Sequence, residues 1–488
     1  MTATNPGSPT PTIIPRPDHN VSRAHISRNA LKVLYRLNQS GYQAFLVGGG
    51  VRDLLLGRRP KDFDIATDAH PEDVRRLFRN CRLIGRRFRL AHVHFGPEVI
   101  EVATFRAPSD PAAEESDGDQ APADRLIDDS GRILRDNVYG SIDEDVWRRD
   151  FTANALYYNI DDFSIWDYTG GAQDIAERTL RMVGDPPQRY QEDPVRMLRA
   201  VRFAAKLDFV IHPQTQDPIR EFGHLLADVP PARLLDESIK LLMGGAGLRT
   251  LQLLREYDLL RYLFPSTEAL YSAHAADFDR RLVELGLANS DRRLAEDKSV
   301  TPVFLFCVLL WGAIRDLSLD IVASEAPQET PVLRTDALKD ATFEVGMRQQ
   351  SQVAIPRRFT QSMSDILALQ PRFSHLQGRH ALRLLDHPRF RAACDFFLLR
   401  HEAGEPWIDD DAAAWWGEVI HMTPEQAREH VASSASAGND GHHEAADSDG
   451  APRRKRRRRR GGRGRRRSAS TESTHAQDGD APRDEGGE

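Results

Sequence analysis

The chain of 488 residues holds only three cysteines, Cys81, Cys307 and Cys394, far apart and without the spacing of a metal-ligand set or a disulfide framework. That excludes a covalently stapled scaffold and leaves reduced thiols, as expected of a cytoplasmic protein. Long apolar runs are also missing: the longest, Val303 to Trp311, is nine residues, too short to span a bilayer. The N-terminus carries Pro6, Pro9, Pro11, Pro15 and Pro17 where a signal peptide would carry an apolar stretch, so no membrane partner is expected. Residues 107–124 have almost no large apolar side chain and read as an acidic surface loop. No internal repeat is found, and strand patterns nearly vanish after Thr179.

Charge is segregated. The formal net charge is −7, yet Arg453 to Arg467 contain 12 Lys or Arg and no acid, leaving 54 basic against 73 acidic groups elsewhere, a balance of −19. The arginine-glycine block cannot bury a core and is expected to be disordered while attracting a polyanion through counterion release, with RNA the natural candidate. A tail that merely aids solubility is the plainer alternative.

With 40% hydrophobic residues the rest can build sizeable cores. The pattern divides into a disordered leader at 1–20, a mixed α/β head at 21–178, a helical neck at 179–265, a helical body at 266–428 and a disordered basic tail at 429–488. The fold class is thus α+β. In the head, a helix is expected from about Ser22 to Asn38, then a strand into Gly48-Gly49-Gly50, a short helix at Val51–Leu56 and a stop at Gly57. Strands are expected at 89–95 and 99–105, joined by Gly96-Pro97.

The chemistry-bearing residues cluster in the head and neck. In an extended Lys61-Asp62-Phe63-Asp64-Ile65 segment, Asp62 and Asp64 project to one side while Phe63 and Ile65 anchor the other. Glu101, on the second apolar strand, supplies a third carboxylate. Such oxygens suit magnesium, and two such ions roughly 3.5–4 Å apart can clamp an in-line phosphoryl displacement. The glycine turn before them offers backbone amides to a triphosphate at a helix start. Arg148-Arg149-Asp150-Phe151-Thr152-Ala153-Asn154 combines two arginines suited to phosphate or base edges with an acid and an amide, although alone it also reads as a salt-bridged helix start. In Glu192-Asp193-Pro194-Val195-Arg196, followed by Arg199 and Arg202, an arginine stripe runs along one helix flank. Asp193 reads equally as a helix N-cap or, with Arg196, as a pair matching the amine and ring nitrogen of adenine or cytosine. His92 and His94 share a strand face and are assigned no chemistry.

Taken in order, Gly48 to Asp53 with Asp62-Phe63-Asp64, Arg148 to Asn154, Asp167-Tyr168-Thr169-Gly170-Gly171 through Asp174, and Glu192 to Arg196 resemble the motifs of the class II nucleotidyltransferases, the family of bacterial poly(A) polymerases and CCA-adding enzymes. The likeness covers roughly residues 22–425, and Pro60 to Thr67, Leu83 to Val93 and His387 to Ala393 are similar to its poly(A) polymerase branch. The acidic insertion and the tail beyond 425 have no counterpart in those motifs. The resemblance implies a polymerase-β-like head. It also implies Asp62, Asp64 and Glu101 as catalytic and as holding two Mg2+ ions, with Gly48, Gly49, Arg52, Arg149, Asp150, Asn154, Asp193, Arg196, Arg199 and Arg202 binding the nucleotide. Asp193 and Arg196 would read the base, with ATP as substrate and RNA 3′ ends as partners. The expected activity is template-independent addition of AMP to RNA with release of pyrophosphate, promoting RNA turnover; any RNA-decay proteins that join it stay unknown. A CCA-adding enzyme and, more distantly, a non-catalytic RNA-binding protein remain alternatives.

Overall fold

Ala44, Phe45, Leu46 and Val47 are all buried, and this apolar strand, β2, becomes the hub of an eight-stranded sheet. The computed structural model describes residues 10–85, 89–107, 125–127, 133–136, 138–271, 276–376 and 378–437. Chain order in the head runs β1 (Thr12–Ile14), α1 (Arg28–Gln39), β2 (Ala44–Val47), α2 (Gly49–Leu55), β3 (Asp64–Thr67), α3 (Pro71–Leu77), β4 (Cys81–Ile84), β5 (Leu90–Phe95) and β6 (Glu98–Thr104). A small hairpin of β7 (Arg125–Ile127) and β8 (Ile133–Asp136) follows, then α4 (Ile142–Arg148), β9 (Leu156–Asn159), β10 (Ile165–Asp167) and α5 (Gly171–Ala176). The sheet order is β1-β10-β9-β2-β3-β6-β5-β4, antiparallel throughout except for the parallel β3–β6 pair.

Alternation along the strands separates two cores. Leu46, Ile65, Ile100 and Val102 face one way and bury Val33, Leu34 and Leu37 of α1 and Val74 of α3. Phe45, Val47, Ala66 and Tyr157 face the other way, under Ile142 and Val146 of α4.

Two expectations about the termini are corrected. Residues 12–14 are not part of a disordered leader: β-branched Ile13 and Ile14 add β1 to the sheet edge against Trp166 and Ile165, and His19 Nε2 lies 2.9 Å from the Phe163 carbonyl. At the other end, Pro424–Ala437 is helical with Val431 fully buried, so order continues past residue 428. Residues 1–9, the acidic insertion from 108 to 124 and the arginine block lie outside the described residues. The first long helix starts at Arg28 rather than Ser22, because the Ser27 hydroxyl accepts from the N–H of Asn29 and Ala30 and caps it there.

After Thr179 the described residues are almost wholly helical; Thr179–Leu180 and Val210–Ile211 form a two-residue parallel pair. The neck holds α6 (Pro186–Glu192), α7 (Val195–Leu207), α8 (Pro213–Phe222), α9 (Pro231–Leu242) and α10 (Gly247–Glu256). In the body, Pro302–Glu325 extends well past the apolar run seen in the sequence and is long and apolar enough to cross a membrane, but 67% of its apolar window is buried among other helices, as in a core helix. There Trp311 Nε1 donates to Glu405, which pairs with Arg400 at 2.7 Å, and Arg400 also donates to Gln370; the buried charges are satisfied as a set.

Candidate active site

Strand register assembles the site. Tyr157 on β9 pairs with Val47, Val47 with Asp64, Asp64 with Glu101 and Glu101 with His92, a row across five strands on the α4 side of the sheet. Asp62 precedes β3 in irregular chain, a correction to the expectation that one strand carries both aspartates, while Phe63 between them is buried as expected. Burial and then the neighbouring Glu101 and Asp62 push the Asp64 carboxyl up to about 6. Glu101 is engaged by His92, Nε2 to Oε2 3.2 Å, so this histidine sits at the site although no chemistry was expected of it; the signal was its period-two place on β5. Among the described residues no three His, Cys, Asp or Glu side chains stand close enough to hold a metal ion by themselves. The donor set still fits a hard divalent cation: it is all carboxylate, and the mutual repulsion that raises Asp64 is what a cation would relieve.

Beside this row opens a cavity of about 820 Å3, lined by eleven cationic and six acidic side chains. It gathers Gly48, Gly49, Arg52, Asp62, Asp64, Arg149, Asp150, Asn154, Asp193, Arg196, Arg199 and Arg202, so all but one of the expected residues converge. Glu101 stands next to Asp64 but outside the lining. Gly48 has φ +69 and ψ −136, a conformation side chains rarely allow, which is why the turn after β2 needs glycine.

Under that turn a polar chain ties head to neck. Arg199 on α7 donates to Asp150 Oδ2, with Nε at 2.8 Å. Asp150 Oδ1 accepts from Asn154 Nδ2 at 3.2 Å, and Asn154 Oδ1 accepts from Arg52 Nη1 at 2.5 Å. Arg52 is buried and also bonds Asp53 at 2.7 Å. Burial opposes ionisation of Asp150, but the Arg199 charge and bonds outweigh it and hold the carboxyl below its usual value. Arg149 is fixed separately: Nε donates to Tyr157 at 2.7 Å and Nη2 to Asp145 at 3.0 Å. Arg148-Arg149-Asp150 is therefore a helix end, not a helix start; the true start is Ser141, whose capping box with Glu144 was present in the sequence.

At the neck, Asp193 follows α6 and precedes α7. Its Oδ1 accepts from the N–H of Val195 at 3.3 Å, in the manner of a cap, and its Oδ2 takes a 2.6 Å bond from Arg233 of α9. Arg196 Nη1 donates to Glu192 at 2.8 Å and to the Arg189 carbonyl at 2.7 Å. Arg189 shares Glu192, and its own pKa is lowered to about 10 by burial and then by Arg196. The arginine stripe is thus not bare: Arg199 has Asp150, Arg196 has Glu192, and Arg202 lies 4.0 Å from Glu237. Phe203, with the guanidiniums of Arg52, Arg199 and Arg202 at 5.4, 5.5 and 4.5 Å, floors this part of the cavity. Arg58, Arg59, Lys61, Phe203, Lys206, Arg233 and Glu237 were not singled out from the sequence; those on α9 come together with the rest only through helix packing.

Asp167 accepts from the N–H groups of Thr169, Gly171 and Ala172 at 3.0, 3.0 and 2.9 Å, starting α5. A side chain on Gly171 would come within 2.1 Å of the Thr152 carbonyl oxygen, so this contact requires glycine.

Family models match the chain in three stretches: "Poly A polymerase head domain" over residues 44–181, "Probable RNA and SrmB- binding site of polymerase A" over 208–271, and "Polymerase A arginine-rich C-terminus" over 331–461. Poly(A) polymerase I of Salmonella typhi is 48% identical over 417 residues, 86% of this chain and 87% of that protein. The CCA-adding enzyme of Bacillus subtilis is 38% identical over 252 residues, 51% of this chain and 59% of that protein. Among solved structures, the CCA-adding enzyme of Bacillus stearothermophilus in complex with CTP aligns with a TM-score of 0.52 and 26% identity, covering 82% of this chain and 81% of that one.

Proposed function

The chain belongs to the poly(A) polymerase family of nucleotidyltransferases, and from that premise we propose that it extends RNA 3′ ends with AMP from ATP, without a template. The observation that carries the choice of branch is extent: likeness to poly(A) polymerase I runs through 86% of the chain, body included, whereas likeness to the Bacillus subtilis CCA-adding enzyme covers 51%.

In this reading the RNA 3′-hydroxyl attacks the α-phosphorus of ATP, a new P–O bond forms, and the bond to pyrophosphate breaks. Asp62, Asp64 and Glu101 would hold two Mg2+ ions, which when bound supply Lewis acidity and countercharge at the reacting phosphate. The turn at Gly48 and Gly49 lets the triphosphate approach the backbone, with Arg52 fixed beneath it by Asp53 and Asn154. Arg149, Asp150, Arg199 and Arg202 flank sugar and phosphate, and the cationic lining draws in RNA. Asp193 and Arg196 read adenine. On this reading the product is a single-stranded adenylate tail, and the activity promotes RNA turnover in the cytoplasm.

Cytosine presents the same amine and ring-nitrogen pattern as adenine, so the assay that tests the reading compares substrates. With ATP and an oligoadenylate primer, long tails are expected; with CTP and tRNA lacking its 3′ end, no incorporation. Two cytidylates followed by one adenylate on the tRNA would instead identify a CCA-adding enzyme. Replacing Arg196 by alanine removes a charged hydrogen bond worth about 1.5–3 kcal/mol. The kcat/KM for ATP is therefore expected to fall about 10- to 100-fold.

Deleting residues 453–467 is expected to weaken RNA binding and to make its salt dependence shallower, by about 0.7 in the log–log slope for each phosphate the tail neutralises, with turnover at saturating RNA retained. An unchanged slope in filter binding from 50 to 200 mM salt would remove the tail from the RNA interface.

A further inference from the structure

A second concavity, of about 660 Å3, lies between α1 and α3 at the end of β5. Its floor is Leu31, Leu77, Phe78 and Phe95, all packed on the head core yet open to the groove. Along its rim Arg28, Lys32 and Arg36 recur every fourth residue of α1, so they stand in one exposed row. Lys32 Nζ sits 5.8 Å above the Phe95 ring, and the Tyr35 hydroxyl, bonded by Arg23 at 2.9 Å, closes one edge. No acidic residue is among the lining.

The groove serves nothing described above. α1 and α3 cover the face of the sheet opposite to the row of Asp64 and Glu101, so an occupant here leaves the nucleotide cavity open. A surface helix normally shows charge to water, but that does not account for a single-sign rim above an apolar floor in which Leu31, Leu77 and Phe95 stay half-buried beside buried Phe78.

We infer that this groove docks an acidic amphipathic segment of another polypeptide, with apolar side chains on the floor and carboxylates against Arg28, Lys32 and Arg36. Complementarity of charge fixes the sign of the partner, and the floor fixes its other face. The chain's own acidic stretches at 108–124, 438–450 and 468–488 contain no Leu, Ile, Val, Met, Phe, Tyr or Trp, so they cannot fill the floor. Single-stranded RNA would satisfy the rim and find Phe95 to stack on, but aliphatic Leu31 and Leu77 offer its base edges no hydrogen-bonding group, so RNA stands as the other outcome of the test.

The test uses the full chain and a fluorescein-labelled 18-residue peptide with leucines on one helical face and glutamates on the other, read by anisotropy at about 150 mM salt, where exposed charges beyond about 8 Å are screened. The same composition in scrambled order and a 12-nucleotide oligoadenylate serve as comparisons. Binding at least tenfold tighter than the scrambled peptide is expected. It should weaken at least tenfold in Arg28→Glu/Lys32→Glu and again in Leu31→Glu, while AMP transfer to RNA stays within twofold of the unmodified chain in both variants. Equal binding of patterned and scrambled peptides, or of unmodified and variant chains, would overturn the inference. Displacement of the peptide by oligoadenylate, with oligoadenylate binding weakened in the same variants, would make the groove an RNA site instead.

Discussion

Asp64→Ala is expected to lower AMP transfer by about three orders of magnitude or more without unfolding the head. Charge stabilisation at the reacting phosphate is worth several kcal/mol, and each 1.36 kcal/mol is a factor of ten in rate. Stability should move the other way. The Asp64 carboxyl is pushed up to about 6 by burial, Glu101 and Asp62, so at neutral pH its charged form is unfavourable in the folded chain. Alanine removes that repulsion and leaves Ile65 and Ala66 in their cores. Without divalent cations, urea unfolding of the variant should show equal or greater stability than the parent, while single-turnover transfer is nearly lost. A variant that unfolds, or one that folds and transfers AMP normally, would remove Asp64 from the catalytic set. This opposition separates a catalytic carboxylate from a structural one, because functional sites hold charges together at a cost in stability.

How much of this was readable in the chain depends on the range of the interaction. The glycine turn, α2 and the arginine-rich start of α7 followed from local signals, since turn chemistry and helical spacing are encoded within a few residues. Glu101 was readable as a third carboxylate on an apolar strand but not as the register partner of Asp64; the parallel pairing of β3 with β6 sets that. The alternative of a salt-bridged helix start at Arg148 to Asn154 fails, because an arginine-rich boundary looks alike from either side and the Ser141 capping box upstream marks the true start. Arg233 and Glu237 were invisible. They lie on a helix some forty residues beyond Asp193, and nothing in α9 itself says that it packs across α7. The pair proposed to read the base is in consequence more constrained than the sequence suggested: Asp193 already takes an arginine from α9, and Arg196 already shares Glu192 with Arg189.

That constraint gives the Arg199–Asp150–Asn154–Arg52 chain its importance, and Asp150→Asn tests it. The asparagine keeps the shape and can still accept from Phe151 N–H, but it removes the charge facing Arg199. Breaking a buried pair costs about 3–5 kcal/mol; with the Arg199 side chain 34% exposed and Asp150 11%, water screens part of that, and a loss of about 2 kcal/mol is expected. Its pH dependence has a definite sign. Asp150 titrates below its usual value when folded, so its contribution is fully present above the unfolded carboxyl pKa, near 4, and is lost as pH falls through the lower folded value. The stability gap between parent and variant, from urea unfolding, should be constant from pH 5 to 8 and close below pH 4. Catalysis should suffer beyond stability, because Arg52 and Arg199 are positioned from the same carboxylate through opposite oxygens. A displacement of about 1 Å in a substrate-positioning group can cost about a hundredfold, so with Arg52 and Arg199 holding phosphate as proposed, kcat/KM for ATP is expected to fall by about that factor even where the variant is fully folded. A stability gap that persists unchanged at pH 3 would place the effect in packing rather than in the ion pair.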